Sequence, residues 1–193
     1  MRVIVITGTP GVGKTSVSAA LASRIDAHLV SLGELIKRER LYRGFDRRRG
    51  TLIADIEKVS RRVKEIISSS RKDVIIEGHL AADVVPAEEA SIVFVLRRDP
   101  EELKRILEER AYGEKKIFEN LAAEILDVCL FDAVKKFGIE KVCEIDVTSR
   151  SVDEVVQEIL DVLRGLKEHR AGIVDWLGKL EAEGKLDEYL KKF

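Results

Sequence analysis

Residues 8–15 read GTPGVGKT, directly after the apolar run RVIVIT and directly before the helically spaced KTSVSAALASRI. Nothing else in the chain narrows the possible folds as far. The pattern is G-x-x-x-x-G-K-[ST], and its setting between a strand and a helix is the one its chemistry needs. Gly8, Gly11 and Gly13 let the backbone turn tightly with no side chain in the way. The loop N–H groups then converge on a phosphate at a helix N-terminus, where the helix dipole also favours an anion. Lys14 supplies a point charge for the terminal phosphates, and Thr15 supplies a hydroxyl to Mg²⁺.

The rest of the chain alternates in the same way. HLVSL (28–32), DVIIEG (73–78), SIVFVL (91–96) and KVCEID (141–146) read as further strands. DVIIEG and SIVFVL are continuous apolar runs, which belong to strands covered on both faces. Between them, residues 55–69 place Ile56, Val59, Val63, Ile66 and Ile67 at helical steps. Pro100 opens a helix, one long helix is expected over 114–136 with Gly138 as its stop, and another over about 152–167. Strands alternating with helices predict an α/β domain with a five-stranded parallel sheet. A final helical segment, from about 173, closes the chain.

Composition excludes several classes. Lys plus Arg number 34 against 35 Asp plus Glu, so no global attraction to nucleic acid is expected. No apolar stretch approaches the roughly 18 residues that span a bilayer. Cys129 and Cys143 form no CxxC pair, and both read as small core residues rather than a disulfide or zinc site. A cytoplasmic protein fits these features. There is no N-K-x-D guanine reader, so the loop is not that of a GTPase.

In open α/β sheets ligands sit beyond the carboxyl ends of the strands. The third strand ends in Glu77, Gly78 and His79, and the fourth in Arg97, Arg98 and Asp99. Glu77 either reaches Mg²⁺, through water, or caps a helix or pairs with a base. His79 either orients an attacking water or transferred phosphoryl group, or is satisfied by nearby backbone. Arg97 either clamps a phosphate or forms a surface ion pair. ERAYGEKK (109–116) sets Arg110, Lys115 and Lys116 around Gly113, as a hinged cationic flap over phosphates would. KRERLYRGFDRRR (37–49) carries seven basic residues against Glu39 and Asp46. It either binds a second phosphate or an RNA backbone, or is a solvated charged face, with Tyr42 and Phe45 stacking on a base or anchoring the loop.

Together GTPGVGKTS, SLGELIKRERLYRGFD, the Gly-His after the third strand, VFVLRRD and RAYGEKKIFENLAAEI resemble the adenylate kinase isoenzyme 6 family. These are archaeal and nuclear adenylate kinase-like ATPases, also known as ribosome assembly factors. The similarity covers about residues 1–168, and GIVDWL (172–177) looks like the C-terminal extension of archaeal members. The resemblance implies a P-loop NTPase of nucleoside monophosphate kinase type. Residues 1–168 would be the kinase domain, with an NMP-binding insertion at about 31–54 and a lid at about 109–119, and 169–193 a helical extension. Gly8, Gly11, Gly13, Lys14, Thr15, Ser16, Arg110 and Arg150 would bind ATP, with Arg150 by the adenine. Lys37, Arg38 and Arg97 would serve the NMP. Thr15 and Glu77 would support Mg²⁺, and Lys14, His79 and Arg110 would be catalytic. Glu77 and Gly78 stand where Asp and an aromatic are usual in that family.

The expected reaction is Mg²⁺-dependent conversion of ATP and AMP to two ADP, with ATPase activity and a link to small-subunit or 16S rRNA maturation. The alternative is an ATP-driven assembly factor with little AMP kinase activity. A small-subunit ribosomal protein and rRNA are its implied partners, and a monomer is expected.

Overall fold

The computed structural model describes residues 1–47 and 50–190. Arg48 and Arg49, at the end of the basic stretch, and tail residues 191–193 lie outside them. The order begins β1 (Val3–Thr7), α1 (Lys14–Ile25), β2 (His28–Ser31), α2 (Leu32–Arg38), β3 (Tyr42–Asp46), β4 (Thr51–Ala54) and α3 (Ile56–Ser69). It continues β5 (Val74–Glu77), α4 (Ala81–Val84), β6 (Ile92–Arg97), α5 (Pro100–Glu109), α6 (Glu114–Ile125) and α7 (Val128–Phe137). A 3-10 turn (Ile139–Lys141), β7 (Val142–Asp146), α8 (Val152–Leu163), α9 (Trp176–Ala182) and α10 (Leu186–Leu190) follow.

The expected five-stranded sheet is present, ordered β2-β5-β1-β6-β7 and parallel throughout. Every residue of β1 and β5 is buried, because helices cover both faces. Ile4, Ile6, Phe94 and Leu96 pack on one face with α1, α5, α6, α8, α9 and α10. Val5, Ile76, Val93 and Val95 pack on the other with α2, α3, α4 and α7. The helix expected over 114–136 is two helices. Asp127 takes a left-handed conformation (φ 56°), and the break lets α6 serve one face of the sheet while α7 serves the other. A straight helix cannot do both.

Two other regions differ from expectation. The basic stretch begins in the last turn of α2 and contains β3, which pairs with β4 just beyond it as an antiparallel hairpin. The final segment is two short helices separated at Gly184 (φ 68°). They dock on the α/β core. Trp176 is 8% exposed, Lys179 pairs with Asp99, and Lys185 lies 3.6 Å from Glu101. Where the chain approaches them, Glu144 N–H donates to Arg170 O at 2.7 Å, covering the edge of β7.

Helix starts follow local chemistry. Asp99 caps α5 through the Glu101 and Glu102 amides at 2.9 and 3.3 Å, with Pro100 in the first turn, as expected. Ser151 and Glu154 form a capping box on α8.

Candidate functional site

The sheet register brings three strand ends together. Ile6 lies beside Glu77, and Gly78 N–H donates to Ile6 O at 3.1 Å. The phosphate loop follows β1 and rests against the end of β6. A Cβ at Gly8, where φ is +136°, would sit 2.4 Å from Leu96 O, so only glycine allows the approach. Gly78 is similarly constrained: its φ is +152°, and a Cβ would meet Leu32 at 3.0 Å. A side chain there, aromatic or otherwise, would be strained.

Lys14 folds back on its own loop, its Nζ donating to Gly8 O at 2.8 Å and Thr9 O at 2.9 Å. Burial lowers its pKa; Cys129, Glu77 and Glu124 oppose that fall, while Arg110 adds to it. Thr15 Oγ1 lies 3.5 Å from Glu77 Oε1, and Glu77 is only 5% exposed. A buried carboxylate beside a hydroxyl is a hard-oxygen pair that suits Mg²⁺. That ion is commonly held by one or two protein groups plus substrate phosphates rather than by a protein cage. Among the described residues no cluster of three His, Cys, Asp or Glu side chains could form such a cage.

Beside the loop is a cleft of about 330 Å³, lined in part by Gly11, Gly13, Ser16, Arg98, Arg110 and Arg150. Arg110 is exposed at the end of α5, where its N–H donates to Ile106 O at 3.2 Å, and its side chain makes no hydrogen bond or ion pair among the described residues. Arg150 is held flat: its guanidinium donates to Asp146 O at 2.9 Å and Glu154 O at 3.2 Å, and pairs with Glu158 at 2.5 Å. A planar, fixed guanidinium is suited to stacking on a base.

His79 is exposed just past the end of β5 and lines neither the cleft beside the loop nor the one between α6 and the hairpin. Partial enclosure and the nearby Lys14 and Lys116 charges lower its pKa to about 4, so near neutral pH the ring carries no charge. Lys116 in turn lies 4.5 Å from the Tyr112 ring centroid. A second cleft, of about 600 Å³, lies between the start of α6 and the hairpin, with Gly113, Lys115, Lys116, Asp46 and Arg47 among its walls.

Arg97 is the clear correction. As an NMP-phosphate clamp it would need a free guanidinium, yet it is 1% exposed. Its Nε donates to Glu124 Oε1 at 2.9 Å, and its terminal nitrogens to Glu144, Asp127 and Glu124 O. Burial disfavours its charge, but the three carboxylates outweigh that and raise its pKa. The reading of Arg97 as a surface pair fails as well, because the pairing is internal. Lys37 and Arg38 lie exposed at the end of α2 and do not line the cleft beside the loop.

Four residues near the site escaped sequence reasoning. Arg98 alternates away from Arg97 and donates to Val12 O at 3.2 Å while pairing with Glu102, bracing the loop against α5. Glu124 accepts from the Thr9 hydroxyl at 2.6 Å. Cys129, read as core, is half-buried near Thr9 and Lys14; burial raises its pKa. Asn120 lies four residues from both Lys116 and Glu124, hence on their side of α6. Only the i, i+4 spacing from Lys116 hints at this stripe.

The profile of the AAA domain matches residues 4–127. The protein named "Putative adenylate kinase" from Methanocaldococcus jannaschii is 40% identical over 176 residues, 91% of this chain and 93% of that one. Its namesake from Thermococcus onnurineus is 39% identical over 189 residues, covering 97% of each chain. Among solved structures, a shikimate kinase from Acinetobacter baumannii superposes with a TM-score of 0.65 at 16% identity, over 86% of this chain and 95% of that one. A gluconokinase from Sinorhizobium meliloti gives 0.54 at 17% identity, over 86% and 93%. At such identities the likeness concerns the fold, a P-loop kinase fold. Among the described residues no helix is long and apolar enough to cross a membrane. The chain belongs, by identity across nearly its whole length, to the family of these archaeal adenylate kinase homologues.

Proposed function

We propose that the protein is a nucleotide kinase that transfers the γ-phosphoryl group of ATP to AMP. The observation that carries this is the one cleft in which phosphate-loop glycines and Ser16 face a flat Arg150 and an Arg110 side chain that has no partner among the described residues. The relatives' name supports the choice of substrates.

Arg150 would stack on the adenine and the loop amides would take the phosphates. Lys14 has three donors and would turn them from the Gly8 and Thr9 carbonyls to phosphate oxygens. Thr15 and Glu77 would hold Mg²⁺, which would supply positive charge to offset that of the phosphates. An AMP phosphate oxygen attacks Pγ, the bond to the β–γ bridging oxygen breaks, and both products are ADP. No proton need move, since the attacking oxygen is already anionic. Arg110 would offset charge on the transferring group, and neutral His79 would position the acceptor. Lys37 and Arg38 would meet the AMP phosphate if the 31–54 region closes. Catalysis is then placement and electrostatics.

Water in place of AMP would make the same site an ATPase. The role in small-subunit ribosome assembly rests on the family resemblance. One experiment separates these readings: ATP turnover measured alone, with AMP, and with small ribosomal subunits. AMP-dependent ADP formation well above background hydrolysis is expected. Turnover indifferent to AMP but altered by subunits would replace the kinase reading with the assembly one.

A further inference from the structure

Glu124 is 1% exposed, and its two oxygens serve three separate parts of the chain. Oε2 accepts from the Thr9 hydroxyl at 2.6 Å. Oε1 accepts from Arg97 Nε at 2.9 Å, the Arg98 amide at 3.0 Å and Trp176 Nε1 at 3.2 Å. One buried carboxylate thus joins the phosphate loop, the end of β6 and the C-terminal segment. Glu144 fastens that segment again, accepting from Ile173 N–H at 2.6 Å while its other oxygen holds Arg97.

Thr9 is the pivot on the loop side. It is fully buried, its hydroxyl tied to Glu124 and its carbonyl to Lys14 Nζ at 2.9 Å. When Lys14 turns to a phosphate, the carbonyl loses that donor. Val12 N–H still donates to that carbonyl at 3.3 Å within the loop, and the Glu124 bond is then what ties Thr9 to the core. A buried carboxylate that loses one of its donors moves to regain it, because an unsatisfied buried acceptor is costly. Displacing Trp176 would therefore displace Glu124, and with it Thr9.

We propose that Glu124 is the positioning residue of the phosphate loop and that Trp176 acts through it. Docking of the C-terminal segment tightens the loop's hold on a nucleoside triphosphate, and the triphosphate tightens the docking in return. Reciprocity follows because the coupling is between two binding equilibria. The inference rests on the nucleotide-binding part of the reading above. Trp176→Phe would not undock the segment, since Lys179–Asp99 and the contact between Lys104 and the Tyr189 ring remain.

Trp176 is the sole tryptophan, so the intact protein's indole fluorescence reports on this position alone. MgATP is titrated by fluorescence and independently by calorimetry. The expected result is a saturable emission change with the calorimetric Kd. Thr9→Val should abolish that change even at saturation and weaken ATP binding about three- to tenfold, the worth of one hydrogen bond. Trp176→Phe should weaken binding similarly by calorimetry, raising KM for ATP more than it lowers kcat. Thr9→Ser, which keeps the hydroxyl, should restore both signals. Glu124→Gln should act in the same direction, with its melting temperature read alongside because it also removes a counter-charge of Arg97. A Thr9→Val protein with wild-type affinity and an undiminished fluorescence response would overturn the coupling, as would Trp176→Phe with unchanged affinity. Wild-type protein that binds no ATP would overturn the functional reading as well, a result distinct from either.

Discussion

The two walls of the nucleotide cleft both carry positive charge but hold it differently. On the phosphate-loop wall each cation is already engaged. Lys14 is held by two carbonyls, Arg98 by Val12 O and Glu102, and behind them Arg97 by three carboxylates. On the wall formed by the end of α5, Arg110 is exposed and its side chain has no partner among the described residues. Charges of the first kind are compensated by folding itself, so they shape the site. A charge of the second kind stays in water until an anion arrives, so it is available to act on the ligand.

The contrast can be tested from its largest effect downward. Lys14→Ala removes the cation that spans both roles, and turnover should fall on the order of 10³–10⁵-fold in a coupled ADP assay. Undiminished turnover would disprove the site. Next, Arg110→Ala and Arg97→Leu should fail in opposite ways. Arg110→Ala should lower kcat on the order of 10²–10³-fold with an unchanged urea midpoint. Arg97→Leu should cost about 3–5 kcal/mol in urea unfolding, because three carboxylates lose their shared cation, while the protein that remains folded keeps its kcat. An Arg97→Leu protein of normal stability but no turnover would erase the distinction between the walls.

Smaller effects belong to His79. His79→Gly should lower kcat at most about 10²-fold and leave ATP affinity nearly intact, the mark of lost positioning. A loss confined to affinity would move His79 to the binding wall. Its pH behaviour gives a further check. The folded-state pKa of about 4 lies below the ordinary 6.5, so between those values the unfolded chain binds more protons. This group's contribution to stability is therefore present above pH 6.5 and is lost as pH falls towards 4. The loss should be small, since the ring remains accessible to water. It should vanish in the His79→Gly protein when urea midpoints are compared across that range.

Much of the architecture was legible because its signals are local. The loop at 8–15 must turn where its glycines lie, and β1, β5 and β6 are nearly unbroken apolar runs. The hairpin at 42–54 was hidden because β3, YRGFD, sets Arg43, Gly44 and Asp46 among its two aromatics and leaves little apolar alternation. The break at Asp127 was hidden for a different reason. Nothing in the local pattern opposes one long helix, and what ends it is the demand that α6 and α7 cover opposite faces of the sheet.

Taken alone, the sequence determined that the chain builds a phosphate loop on a parallel sheet, and that Lys14 and Thr15 stand at its mouth. Neighbouring residues settle such features through turn geometry and strand burial. Only the tertiary structure decided that Arg97 is internal while Arg98 faces the loop, and that Glu124 joins Thr9 to Trp176 across 115 and 52 residues of chain. The physical reason is that a buried charge takes its role from whatever surrounds it. Sequence spacing does not show which distant carboxylates and donors the fold brings within reach.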